Sequence, residues 1–402
     1  MTIDAEGMAG GSTTADGVVR TVDLDRVEDR DPERRLAWVY LSRVVQGPCA
    51  PLSALIATVG VVEAARAVRE CDLPASLRVP TAQRRDMDCA ARDLETIEHS
   101  GGRVVTPDDP EWPAWRMAGL GRLDPGGDQD AAVPLVLWVR GNASLLTVTE
   151  RSVAVVGARC STGYGDRVTG EIVGDLSARG LTIVSGAAFG IDAAAHRAAL
   201  AAGAATVAVL ACGVDRPYPA QHDRLLAEIA ENGAVVSEYP PGTTARKHQF
   251  LSRNRLIAAL SDAVLVIEAG VRSGARNTVK WARRLGLPAL ATPGPVTSAV
   301  SVGCHRMIRD GEALLVTQAA DILDETPLRL TDPATSATPD LPADQAAVYA
   351  SLSIRDPHLP TALATRTGLA LPSVRAALVG LELAGLVTMG SSGWHRTPRG
   401  AR

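Results

Sequence analysis

Residues 152–165 read S-V-A-V-V-G-A-R-C-S-T-G-Y-G. A short, continuous apolar run of buried-strand length enters a glycine turn, and the turn opens onto a helix N-terminus. The same unit recurs downstream: LTIVS (181–185), TVAVL (206–210), AVVSE (234–238), AVLVIE (263–268) and PALAT (288–292) read as strands. Helical stretches over residues 190–201, 221–231 and 252–260 separate them. Repeated strand–helix–strand units imply a parallel sheet covered by helices on both faces. The expected class is therefore α/β, with a Rossmann-like, doubly wound, mostly parallel sheet whose ligands sit at the carboxyl ends of the strands.

This pattern extends over residues 103–328, and different patterns flank it. Residues 1–34 are acidic and rich in Gly, Thr and Asp without a sustained apolar period, which predicts a disordered tail. Over residues 35–102 apolar positions recur at helical spacing, with Pro51 suited to a first helical turn and Gly60 to a helix end, so a small helical domain is expected. Residues 329–342 contain TDPATSATPDLP, too polar and too broken for either period, and read as a linker. Residues 343–402 give three helical segments followed by two short strands around a Gly/Ser turn, the order of a winged-helix domain. Its third helix, LPSVRAALVGLELAG, carries only Arg375 as a base, so a protein-interaction module of the same shape stands beside duplex reading.

Charged residues are 21% of the chain and apolar residues 46%, close to average soluble usage. No stretch reaches the roughly 18 uninterrupted apolar residues of a membrane helix, and the opening residues lack a basic segment followed by an apolar one. A soluble, cytoplasmic protein with no membrane partner is expected. The cysteines, Cys49, Cys71, Cys89, Cys160, Cys212 and Cys304, are widely spaced without a C-x-x-C pair, so neither a metal site nor a disulfide framework is expected. The net charge of −4 is carried by residues 1–35, with nine acidic and five basic side chains, while residues 244–284 hold nine basic residues against Asp262 and Glu268. That local cluster is either a solvated face or the footprint of a polyanion.

The loop after residue 156 fits neither the G-x-G-x-x-G dinucleotide fingerprint nor a P-loop, which disfavours a nicotinamide-dependent oxidoreductase or an ATPase. It does offer free backbone N–H groups at a helix start beside Arg159, where a phosphate is the natural guest. Ser185, Asp192 and His196 invite a triad reading, but Asp192 and His196 are neighbours on one helix and no G-x-S-x-G elbow is present. In the segment 237–257, Lys247, Phe250, Arg253, Asn254 and Arg255 gather four polar or basic groups around a ring. An aromatic among cations suits single-stranded nucleic acid, because bases stack on the ring while cations meet phosphates; alternatively Phe250 anchors the loop in the core. The chain has only two phenylalanines, Phe189 and Phe250, both in strand-end loops.

In their order along the chain, VAVVGAR, SGAAFGID, TVAVLACGVDRPYP, SEYPPG, F-x-x-RNR, SG-x-x-NT, PGPVTS and GCHRMIRDG resemble the DprA (Smf) family of DNA-processing proteins. The resemblance implies a Rossmann-like core preceded by a helical domain of SAM or helix-hairpin-helix type. It also implies single-stranded DNA binding, a homodimer, and help in loading RecA during natural transformation and homologous recombination, with neither cofactor nor turnover. Carried over residue by residue, it assigns DNA contacts to Gly157, Arg159, Lys247, Phe250, Arg253 and Asn254. The neighbouring loops add Ser185, Gly186, Ser273, Gly274 and Arg276. Phe189 and Ala220 stand where basic residues are common in the family, and Arg276 replaces a leucine, which could restore one charge to the groove. The competing enzyme class, LOG-like phosphoribohydrolases that cleave nucleotides, carries a P-G-G-x-G-T loop; the comparable turn here, residues 273–278, lacks the paired glycines.

Overall fold

Strand β3 (Ser152–Gly157) lies at the centre of the sheet, and its alternation explains how the sheet is covered. Val153 and Val155 point to one face, where they pack with Ile172, Leu176 and Ile191 from the helices Gly163–Ala178 and Ile191–Ala201. Ala154 and Val156 point to the other, against Leu256, Ile257, Val279 and Trp281 of the helices Lys247–Ala259 and Ala275–Arg284. A strand buried on both sides has no polar face, which is why it reads as an unbroken apolar run. Burying each such valine stabilises the fold by about 1.5–3 kcal/mol relative to exposure.

The computed structural model describes residues 31–123, 129–326, 341–352, 357–384, 386–390 and 393–396. Among them, β4 (Thr182–Ser185), β5 (Thr206–Val209) and β6 (Ala234–Ser237) extend the sheet in parallel from one side of β3. On the other side, β7 (Ala263–Ile267), β8 (Ala289–Ala291) and β9 (Leu314–Leu315) follow, also parallel. Two further strands, β1 (Gly102–Val105) and β2 (Leu137–Arg140), pair antiparallel and attach to β6, completing the order β1-β2-β6-β5-β4-β3-β7-β8-β9. The sheet is thus the expected doubly wound, mostly parallel one. The chain leaves β3 in one direction and returns on its opposite side at β7, so the topological switch point falls between these two strands.

The helices Pro32–Val45, Ala50–Val59, Val61–Glu70, Ala75–Ala82 and Ala90–His99 precede the sheet. Their apolar residues, among them Tyr40, Leu41 and Val68, share a core with Trp138 of β2, Ala208 of β5 and Val235 of β6. The first helix begins three residues before the expected start at residue 35, because the Asp31 side chain accepts the Arg34 backbone N–H at 3.2 Å and Pro32 occupies the first turn. Residues 1–30 of the expected tail and residues 329–340 of the expected linker lie outside the described residues.

The C-terminal unit has helices Ala343–Ser351, Pro360–Thr367 and Leu371–Leu383, then an antiparallel pair Val387–Gly390 and Gly393–Arg396. Val348, Leu363, Val374, Leu378, Leu381 and Trp394 form its core. This is the winged-helix arrangement expected from the segment order. Among the described residues no single helix is long and apolar enough to cross a membrane.

Candidate nucleic-acid interface

At the switch point the ends of β3 and β7 diverge and leave an open cleft of about 590 Å³. Gly157 and Arg159 line it from the β3 loop, Phe250, Leu251, Arg253 and Asn254 from the helix Lys247–Ala259, and Arg272, Ser273 and Gly274 from the loop after β7. Sequence positions more than a hundred apart are therefore joined in one concave surface. Gly157 is required by packing: a Cβ there would stand 1.9 Å from the Ile267 carbonyl oxygen of the neighbouring strand.

The exposed cations of the cleft are Arg159 and Arg272. The Arg159 guanidinium lies 5.5 Å from the centroid of the Phe250 ring, and that half-buried ring is tilted against Tyr218 at 5.2 Å. Phe250 therefore presents ring surface to the cleft instead of serving only as a core anchor. Asn254 donates to Asn277 Oδ1 at 3.2 Å, which ties its helix to the helix Ala275–Arg284. The Ser273 hydroxyl accepts the Ala275 N–H at 3.2 Å and, with Gly274, begins the helix Ala275–Arg284. Lys247 is exposed in the first turn of its helix but does not line the cleft.

Five expectations change. The Ser185 side chain is fully buried, and its hydroxyl donates to the Val155 carbonyl at 2.6 Å, so it fastens β4 to β3. Gly186 is buried too, and a Cβ would stand 2.7–2.8 Å from the Arg253 guanidinium. Arg253 itself is only 5% exposed; it donates to the carbonyls of Gly186, at 3.0 Å, and Val209. Burial pushes its pKa below the ordinary value and the nearby Asp192 carboxylate opposes that shift, so Arg253 is a buried cation in the cleft wall whose guanidinium is spent on two carbonyls. Arg276 restores no charge to the cleft, because it lies in a separate depression and its guanidinium is bonded to Glu312 at 2.9 and 2.5 Å. Arg255, part of the basic cluster in the sequence, is fully buried in a bidentate pair with Glu238, both bonds 2.7 Å.

The helix start after β3 also differs from the phosphate seat that its glycines suggest. Glu268, at the end of β7, accepts the Thr162 backbone N–H at 2.9 Å and the Thr162 hydroxyl at 2.5 Å. A carboxylate of the chain already occupies the position that favours an anion. Glu268 adopts a left-handed backbone conformation, φ +54°, to reach it. Nothing local in the sequence signals this role, whereas Tyr218 and Arg272 were visible as an aromatic in an unpatterned loop and as a member of the basic cluster.

Asp192 and His196 are structural, as their shared helix suggests. Asp192 accepts backbone N–H groups of Gly186 and Ala188 at 3.2 and 3.4 Å, and burial raises its pKa. His196 is fully buried with Nδ1 2.7 Å from the Thr206 hydroxyl, which donates its proton to the Ile183 carbonyl at 2.8 Å. Nδ1 must therefore be the donor. Among the described residues no cluster of His, Cys, Asp and Glu could hold a metal ion.

Comparison with known proteins agrees with this architecture. Residues 103–327 match the family model for DNA recombination-mediator protein A, and residues 332–391 match the DprA winged helix domain. The chain is 45% identical over 376 residues to a putative DNA processing protein DprA of Mycobacterium tuberculosis, covering 92% of this chain and 96% of that protein. It is 36% identical over 279 residues to Protein Smf of Escherichia coli, covering 66% and 72% of the two. The X-ray structure of DNA processing protein A from Streptococcus pneumoniae aligns with a TM-score of 0.59 at 30% identity, covering 74% of this chain and 98% of that one. With the fold, the ordered strand-end motifs and the C-terminal module all in agreement, the chain belongs to the DprA family of DNA-processing proteins.

Proposed function

We propose that this protein binds single-stranded DNA in the switch-point cleft and, as a cytoplasmic homodimer, hands it to RecA during recombination of incoming DNA. The observation that carries the reading is the Arg159–Phe250 arrangement, a cation 5.5 Å from a partly exposed ring at the mouth of the cleft. The ring offers a stacking platform and Arg159 and Arg272 offer charges to the phosphates, a combination that accepts any base and needs unpaired ones. A duplex keeps its bases stacked and cannot use the ring. RecA and the second subunit enter through family membership. The winged helix is assigned to protein contact, since its third helix exposes Val379, 52%, and Leu383, 85%, beside its lone base Arg375.

Titration of matched single- and double-stranded oligonucleotides at several salt concentrations tests the reading. Preference for the single strand is expected, with a log–log salt slope of roughly −0.7 per contacted phosphate. Equal affinity for blunt duplex, or affinity indifferent to salt, overturns it. For the partner, strand exchange by the cognate RecA on DNA coated with single-strand-binding protein should accelerate on addition of this protein. The LOG-like enzyme reading predicts release of free base from nucleoside monophosphates; none is expected here.

A further inference from the structure

The helix Ala275–Arg284 reads A-R-N-T-V-K-W-A-R-R, four bases and no acid in ten residues. Its inner face is spent on the core, where Ala275, Thr278, Val279, Trp281 and Ala282 are buried. Arg276, Lys280 and Arg283 recur at i, i+4 and i+7, so they form one stripe on the opposite face, and all three are exposed. The stripe starts where the cleft ends. Arg272, Ser273 and Gly274 line the cleft and lead into this helix, and Arg276, Lys280, Arg283 and Arg284 line a second open depression of about 640 Å³.

The helix gains no stability from this stripe. Bases three and four residues apart on one face repel, as Arg276 does with Lys280, and Lys280 with Arg283 and Arg284. The last turn suits Arg283 and Arg284, because it is the negative end of the helix dipole, and the first turn opposes Arg276 for the converse reason. Arg276 is offset by Glu312, and Arg284 lies over the Trp281 ring at 4.3 Å. Arg283 is exposed and, among the described residues, in no ion pair. A row of like charges on a rigid, core-anchored helix is relieved when a polyanion lies along it.

We propose that the outer face of the helix Ala275–Arg284 is a second nucleic-acid contact, a track along which the sugar–phosphate backbone of the single strand runs after it leaves the cleft. The proposal rests on single-stranded DNA binding in the cleft and extends it over the protein surface. A ten-residue helix is about 15 Å long, room for roughly four phosphates at the 3.4 Å spacing of a stacked strand and fewer for a stretched one. Trp281, the one aromatic residue of the helix, is buried, so the track offers charge without a stacking ring. It reads no base, and its contribution grows with strand length.

The test is fluorescence titration of the full-length protein with labelled oligo-dT of 5 and 20 nucleotides at several salt concentrations, alongside thermal melting. Wild type is compared with a neutral double variant, Lys280→Gln with Arg283→Gln, and a charge-preserving one, Lys280→Arg with Arg283→Lys. On the 20-mer the neutral variant should lose roughly 1.4 from the magnitude of the salt slope, two phosphate contacts, which is about 25-fold in affinity at 0.1 M salt. On the 5-mer, held by the ring and cations of the cleft with too little length to follow the helix, it should match wild type. Its melting temperature should be no lower, since a repulsion has been removed. The charge-preserving variant should bind both lengths as wild type does; if it is as weak as the neutral one, charge is not the cause and the track falls. Equal weakening toward both lengths would mean that the two bases act on the cleft through the general field, and overturns the proposal, as does a neutral variant that binds the 20-mer like wild type. Normal DNA binding with lost stimulation of RecA strand exchange would assign the face to a protein partner and overturns it too. If wild type binds neither oligonucleotide, the functional reading itself falls.

Discussion

Glu268 and Thr162, on opposite sides of the switch point, are joined twice: the glutamate accepts the threonine's backbone N–H at 2.9 Å and its hydroxyl at 2.5 Å. Thr162 caps the helix Gly163–Ala178, its hydroxyl accepting the Gly165 N–H at 3.3 Å, and Glu268 holds that cap from the end of β7 with its negative charge at the helix's positive end. In the proposed function, a bound strand meets its cations on the rim of the cleft, at Arg159 and Arg272, and not at this helix start.

Removing the Glu268 carboxylate should expose the anion site it fills. Glu268→Ala is expected to lose at least about 1.5 kcal/mol, the worth of a hydrogen bond to a charged group, and Glu268→Gln less. Sulfate at equal concentration should raise the melting temperature of Glu268→Ala more than that of the wild type. Equal shifts in the two proteins would mean that no anion takes the carboxylate's place.

The arginines of the cleft should divide into two kinds. Arg253→Ala leaves the carbonyls of Gly186 and Val209 without their donor and removes the cation near buried Asp192, so a loss of about 3–5 kcal/mol is expected. Arg159→Ala should stay within about 0.5 kcal/mol of wild type in stability while lowering the magnitude of the salt slope by roughly 0.7. Chemical denaturation and salt-dependent titration of both variants separate the roles.

For the buried Arg255–Glu238 pair, either single truncation strands a charge. Arg255→Met and Glu238→Leu should each lose about 3–5 kcal/mol, whereas the double variant should recover most of that loss. A double-mutant cycle in urea gives the coupling directly. Additive losses would assign the cost to packing instead of charge.

Acid stability should be governed in part by His196. Burial holds its pKa down to about 3, so below about 6.5 the unfolded chain binds a proton that the folded chain refuses. Its contribution is complete above the unfolded pKa and declines as the pH falls from 6.5 toward 3. Between pH 6.5 and 5 the loss approaches about 2 kcal/mol, at 1.36 kcal/mol per unit. Denaturation midpoints across that range should show a shallower acid limb for His196→Gln.

The apolar runs at 152–156, 181–185, 206–210, 234–238, 263–268 and 288–292 identified the parallel strands from the sequence alone, each within two residues of its observed bounds. A strand buried on both faces writes its environment into its own composition, so this information is local. The cleft's place at the strand ends followed from the same pattern. The antiparallel additions β1 and β2 and the two-residue β9 did not, being too short to establish a period. Tertiary structure alone decided which charges face the solvent. Arg253 and Arg255 stand two positions apart on one helix and look equivalent in the sequence. One is spent on the Gly186 carbonyl 67 residues away, the other on Glu238 17 residues away. Phe189, an apparent loss of charge in the sequence, became part of an aromatic lining once the fold set it beside Tyr218 and Phe250. The availability of a charge or a ring depends on partners brought in by the fold, and no local period encodes them.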